Sequence, residues 1–229
     1  MISVKNYRSA YGQSEVLHGL NFELAKSEIV AIVGRNGMGK TTLMKSLMGI
    51  VPSTAGQVMV DAVDVTAAKS FDRVSAGLGY VPQGRMIFPT MSVKENIETG
   101  LTSTGETQVP ADLFELFPVL SDMSERRGGN LSGGQQQQLA IARALATQPK
   151  VLLLDEPTEG IQPSIIREMA RVLKRIRDKR QLSILVSEQV LSFAMDIADR
   201  VLVLENGQIV HEAHRDQIDE KQVQAYLAV

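Results

Sequence analysis

Gly34-Arg-Asn-Gly-Met-Gly39-Lys40-Thr41 spaces glycines, a lysine and a hydroxyl as G-x-x-x-x-G-K-[ST]. Glycines let backbone N–H groups turn inward around phosphate oxygens, and a helix starting there adds a positive field. In such a loop Gly34, Asn36, Gly37, Gly39 and Thr42 shape the cradle, and Lys40 bridges the β- and γ-phosphates of a nucleoside triphosphate. The Thr41 hydroxyl is placed to hold Mg²⁺. Further on, Val151-Leu-Leu-Leu-Asp155-Glu156 reads as a buried strand ending in two carboxylates. Asp155 then belongs to the Mg²⁺ shell, and Glu156 is a base that orients an attacking water. A third element, Leu131-Ser132-Gly133-Gly134-Gln135, puts an N-cap residue and two glycines before another helical pattern. It is a second anion-binding helix start. One nucleotide cannot readily use two cradles so far apart in one domain, so two chains arranged head-to-tail would each lend this element to the other's triphosphate.

These residues need a scaffold that carries them on strand ends and helix starts. Ile29–Val33, Leu78–Val81, Val151–Leu154, Ser183–Val186 and Val201–Leu204 are short apolar runs, and helical patterns follow the first and third. Together they predict a mainly parallel core sheet of α/β type. Asn206-Gly207 predicts a hairpin after the last of these strands. The first 25 residues and Gln57–Val60 read as an antiparallel β flank, and helices are expected over Ser92–Thr147, broken by the loop Thr102–Pro110. A further helix is expected over Ser164–Lys179. No Pro/Gly/Ser-rich linker divides the 229 residues, so one domain is expected, with a helical subdomain inserted at about 85–147.

Composition excludes several classes. A net charge of −2 and a pI near 6.0 give no pull toward nucleic acid. The basic residues Arg171, Lys174, Arg175, Arg177, Lys179 and Arg180 go round one helix and read as a solvated face. The absence of cysteine rules out disulfides and thiolate chemistry. The first residues lack the apolar stretch of a secretory signal, and no aliphatic run approaches the ~20 residues that span a bilayer. His211 and His214 have no third ligand close in sequence, so they read as solvated, and the ten methionines read as core filler.

In this order the three elements resemble the ATP-binding-cassette ATPases, over essentially the whole chain. The resemblance implies a P-loop NTPase fold, ATP and Mg²⁺ as ligands, and a second ATPase subunit, sister or identical, in a head-to-tail pair. It further implies permease subunits in the membrane, a solute-binding protein acting indirectly from outside, and a peripheral position on the cytoplasmic face. By the same resemblance Tyr11 stacks on adenine, while Gln83 touches Mg²⁺ and the attacking water. Gln189 falls where most relatives carry a histidine near the γ-phosphate, and Gln162 where they carry an aspartate. Glutamine can donate a hydrogen bond to phosphate but carries no charge. Gln83-Gly-Arg-Met-Ile-Phe-Pro89, the glutamines 135–138 and Asp155–Pro163 are similar to the branched-chain amino-acid and urea importers, closest to the urea-type subunit. Two other readings stay open: a nucleotide-binding regulatory subunit with little hydrolysis, and a soluble cassette ATPase outside transport.

Overall fold

The computed structural model describes residues 1–228. β1 (Ile2–Tyr11), β2 (Ser14–Leu24), β4 (Ser53–Val60) and β5 (Val63–Asp64) form a four-stranded antiparallel sheet ordered β2-β1-β4-β5. This is the expected flank, with β4 starting four residues ahead of Gln57. β3 (Ile29–Val33), β6 (Leu78–Val81), β7 (Val151–Asp155), β8 (Ser183–Glu188), β9 (Arg200–Glu205) and β10 (Gln208–His214) form the second sheet, ordered β10-β9-β3-β8-β7-β6. All its pairings are parallel except the β9–β10 hairpin. Its turn residues Asn206 and Gly207 have φ of 45° and 71°. A Cβ on Gly207 would lie 1.8 Å from the Val16 carbonyl oxygen, so the close approach of β2 requires glycine there.

The helices are α1 (Lys40–Leu47), α2 (Ser70–Ser75), α3 (Val93–Glu98), α4 (Ala111–Leu116), α5 (Pro118–Asp122), α6 (Gly133–Ala146), α7 (Pro163–Arg180), α8 (Leu191–Ile197) and α9 (Glu220–Ala228). Alternation along the buried strands feeds two cores. Ala31, Leu152, Ile184 and Val201 face one side, where α3, α6, α7 and α8 pack. Val30, Leu153, Leu185 and Leu202 face the other, where Leu43, Met44 and Leu47 of α1 lie between the two sheets. Strands covered on both faces read as continuous apolar runs, and here they do.

Three expectations need correction. The basic residues of α7 are not simply solvated. Arg177 pairs with Asp199, Lys174 with Asp196, and Arg180 makes a two-pronged contact with Asp112 of α4. These pairs pin the helix to its neighbours while Val172, Leu173 and Ile176 fill its inner face as expected. His211 is half-buried, with its ring stacked on Tyr226 at 5.6 Å and its Nε2 shielded without a hydrogen-bond partner among the described residues. And Met86 is no core filler: it is 68% exposed on the loop after β6.

Arg73 of α2 is only 2% exposed and has no carboxylate partner among the described residues. Its guanidinium instead donates to the carbonyls of Ser46, Leu47, Thr66 and Ala68 at 2.7–3.0 Å. It therefore satisfies the end of α1, where free carbonyls and the helix dipole favour a cation. Arg73→Met should lower the unfolding free energy by about 3 kcal/mol in urea titration, since several buried acceptors lose their donor. A change under roughly 0.5 kcal/mol would mean that those carbonyls find other partners.

Candidate functional site

The loop between β3 and α1 is shaped by glycine where nothing else fits. A Cβ on Gly34 would meet the Leu204 carbonyl oxygen at 2.5 Å, while Gly37 and Gly39 take left-handed φ of 81° and 105°. The loop thus delivers its chain directly into α1, whose first residue is Lys40. Lys40 is 4% exposed, and its ammonium donates to the carbonyls of Gly34 and Arg35 at 2.7 and 2.9 Å. It also lies 3.2 Å from Glu156 Oε1.

The parallel register brings the other groups to the same edge. Val33 pairs with Glu188 and Asp155 with Ser187, so β3, β7 and β8 all end beside the glycine loop. Ligands of α/β sheets bind at this carboxyl edge. Glu156 follows β7 with a left-handed φ of 47°, and its N–H donates to the Ser187 carbonyl at 3.0 Å. Its carboxylate accepts from Gln83 Nε2 at 3.2 Å and from Gln189 Nε2 at 2.9 Å on both oxygens. Lys40, Gln83 and Gln189, from three separate segments, converge on one carboxylate.

Asp155 accepts from the Ser187 hydroxyl at 2.6 Å and the Thr41 hydroxyl at 3.2 Å, both at Oδ1, and from Tyr80 at 3.5 Å on Oδ2. Burial pushes its pKa up, the Ser187 and Thr41 hydrogen bonds oppose this, and the charge of Glu156 adds to the rise. Burial also pushes the Tyr80 hydroxyl up, with Asp155 adding to it, so the phenol keeps its proton and donates. The Thr41 hydroxyl beside the Asp155 carboxylate is a hard oxygen set of the kind Mg²⁺ prefers. The group fits here. Among the described residues no cluster of three or more His, Cys, Asp or Glu forms a separate metal site.

A cavity of about 230 Å³ is lined by Asn36, Gly37, Lys40, Thr41, Gln83 and Glu156, with Gly39, Thr42 and Val16 completing the wall. Tyr11 does not line it; the ring sits at the end of β1, 51% exposed. Ser132, Gly133, Gly134 and Gln135 are not part of this cavity either. They open α6, where Ser132 and Gln135 form a reciprocal capping box. The Ser132 hydroxyl accepts one N–H there and still has its own proton to donate.

Sequence reasoning missed Glu188 and Thr158. Glu188, 1% exposed, accepts from the Thr158 hydroxyl and N–H and from the N–H groups of Gln189 and Val190. It fastens the turn after Glu156 to the turn that carries Gln189. Burial pushes its pKa up against all of these hydrogen bonds. The only signal was a charged residue two positions past an apolar run, which elsewhere means a strand end reaching solvent.

A buried acid with a raised pKa binds more protons folded than unfolded, so it takes stability away as pH climbs from its ordinary value through the raised one. For Asp155 that window opens at 3.8. Wild-type stability minus that of Asp155→Asn should therefore decline as pH is raised from about 4 toward neutrality, in urea titrations at several pH values without added divalent cation. A difference that grows with pH would reverse the sign of this assignment.

The profile of the family described as ABC transporter matches residues 17–159. The chain is 38% identical to the high-affinity branched-chain amino acid transport ATP-binding protein BraG of Pseudomonas aeruginosa, covering 92% of this chain and 91% of that one. It is 30% identical to the lipopolysaccharide export system ATP-binding protein LptB of Escherichia coli K12, covering 99% and 96%. Among solved structures it superposes on a nucleotide-free ATP-binding cassette from an ABC transporter with a TM-score of 0.84 at 25% identity, over 100% of this chain and 95% of that one. The P-loop NTPase fold of that cassette is the one described above, and no helix among the described residues is long and apolar enough to cross a membrane. With a phosphate loop at the carboxyl edge of its sheet and this likeness running almost end to end, the chain belongs to the ABC transporter family, as one of its ATP-binding, ATP-hydrolysing subunits.

Proposed function

We propose that this subunit hydrolyses ATP to drive uptake of a small polar solute, branched-chain amino acids, their amides or urea, through a permease whose cytoplasmic face it binds. The observation that carries the ATPase half is the convergence of Lys40, Gln83 and Gln189 on the Glu156 carboxylate at the mouth of the glycine loop. The uptake half rests on likeness: 38% identity to BraG against 30% to LptB, and the motif resemblance that favours urea. An ATPase subunit does not touch the solute, so its own chemistry carries no cargo signal.

Lys40 and the amides of the glycine loop bind the β- and γ-phosphates of ATP. Phosphate oxygens replace Glu156 as the partner of Lys40, which leaves the Glu156 carboxylate free to accept a proton. Glu156 then orients a water so that its oxygen bonds to the γ-phosphorus while the bond to the ADP oxygen breaks; the proton passes to Glu156. Gln189 and Gln83 hold that carboxylate in place with neutral N–H donors, so they fix its position without adding a second cation beside it. Thr41 and Asp155 would hold Mg²⁺, which when bound neutralises charge on the β- and γ-phosphate oxygens.

Tyr11 supplies the aromatic face for adenine. Ser132, Gly133, Gly134 and Gln135 cap the γ-phosphate bound to a second subunit, sister or identical, arranged head-to-tail. Closing on ATP and reopening after hydrolysis are the source of work, because ATP binds the closed pair better than the open one. Permease contact falls on the segment after Gln83, where Met86 and Phe88 expose apolar surface beside a cavity of about 420 Å³.

Glu156→Gln should bind ATP at least as tightly as wild type, since it no longer competes for Lys40, and hydrolyse it about 100-fold more slowly or worse. Lys40→Ala should lose ATP binding. Phosphate release and fluorescent-nucleotide titration measure both. Wild-type turnover in Glu156→Gln would remove it as the base. Activity of the isolated chain should rise faster than linearly with its concentration; a straight line far below pair saturation would contradict a shared site.

A further inference from the structure

We infer that Arg85 is a positioning residue for this reaction: it locks the Gln83 loop to the start of α6 and to the turn at Glu159–Gly160, so that the glycine-rich cap offered to a second copy's nucleotide moves as one piece with that loop. The inference rests on the shared-site reading above. Arg85 and Met86 are consecutive non-glycine residues with left-handed φ of 67° and 46°. Such a backbone costs free energy and persists only where its surroundings hold it.

The hold comes from both ends of α6. At its start, Arg85 Nη2 donates to the Glu159 carbonyl at 2.9 Å and Nη1 reaches Gln136 Oε1 at 3.5 Å. The guanidinium lies 3.3 Å from where a Gly133 Cβ would stand and 3.5 Å from where a Gly160 Cβ would stand, so both glycines leave room for it. Gln136 in turn donates to the carbonyls of Leu131 and Gly128, extending the tie to the segment just before Ser132. Toward the other end of α6, Arg143 Nη2 donates to the carbonyls of Met86 and Arg85 at 2.9 and 3.4 Å, and its guanidinium sits 5.2 Å over the Phe88 ring.

The loop is thus riveted to α6 along that helix, while its own Gln83 contacts Glu156. Arginine suits this place because its planar fork serves two acceptors at once; a lysine ammonium on a single flexible stem does not. Arg85 itself does not line the cavity around Lys40. Gly133 and Gln136, which its guanidinium meets, belong to the start of α6 that forms the cap, so its effect is assigned to turnover at the neighbour's site rather than to its own affinity for ATP.

Arg85→Ala should lower kcat about 10- to 100-fold with the KM for ATP nearly unchanged, and Arg85→Lys should recover only part of it. The thermal midpoint should match wild type. Complementation then separates a role across the pair from one within the chain. Lys40→Ala cannot use its own site but keeps Ser132 and Arg85, so mixing it with Arg85→Ala builds one complete shared site. ATPase activity of the mixture should exceed the sum of the two variants measured separately. The same mixing with Ser132→Ala is the control. If Ser132→Ala recovers with Lys40→Ala and Arg85→Ala does not, the inference is overturned and the shared site stands. If neither recovers, the shared-site reading falls and takes the inference with it. A wild-type kcat in Arg85→Ala, or a loss that follows KM or the thermal midpoint, also overturns it.

Discussion

One buried cation, Lys40, faces two buried carboxylates, Asp155 and Glu156, at the end of a parallel sheet. Removing such charges from water is expensive, so every other feature of the site answers that cost. Hydroxyls of Ser187, Thr41 and Tyr80 surround Asp155, and amides of Gln83 and Gln189 surround Glu156. One negative charge is still left over. A divalent cation held by Thr41 and Asp155 would offset that charge, and a triphosphate would give Lys40 a partner in place of Glu156. The buried carboxylate charge that costs the folded chain stability is also what would attract such a cation.

Precision of this kind requires a frame whose strand ends do not shift against one another. The two-faced burial of β3, β7 and β8 provides it, since each strand is gripped from both sides and the three are in register where they stop. α1 is held just as firmly, wedged between the sheets with its end tied by Arg73. The loop after Gln83 is held separately, by Arg85 and Arg143 against α6. Glu188 extends the rigid frame slightly outward, by stapling the two turns that flank Glu156.

Much of this was legible in the residues. Apolar runs of four or five residues marked the buried strands, because strands covered on both faces show no alternation, and Asn206-Gly207 marked the hairpin. The glycine loop could be placed on a helix start from spacing alone, and the structure sets Lys40, Thr41, Asp155, Gln83, Gln189 and Glu156 within one edge. What escaped was long-range side-chain pairing. Nothing in the basic run of α7 announced that Arg180 would meet Asp112, 68 residues away, or that Glu188 would turn inward. A charged residue's partner is set by tertiary packing, and local sequence holds no record of it. The resemblance to a known family carried Tyr11 and Gln189, which spacing alone would not have singled out.

The exposed apolar side chains Met86 and Phe88 sit on a loop, whereas the groups around Lys40 sit on strand and helix ends. That one loop carries two kinds of side chain, Met86 and Phe88 exposed to solvent and Arg85 tied to α6. Exchanging Phe88 would also remove the ring beneath Arg143, so the outward face of this loop and its hold on α6 are coupled. Proteins named for cargoes as unlike as amino acids and lipopolysaccharide share this cassette family.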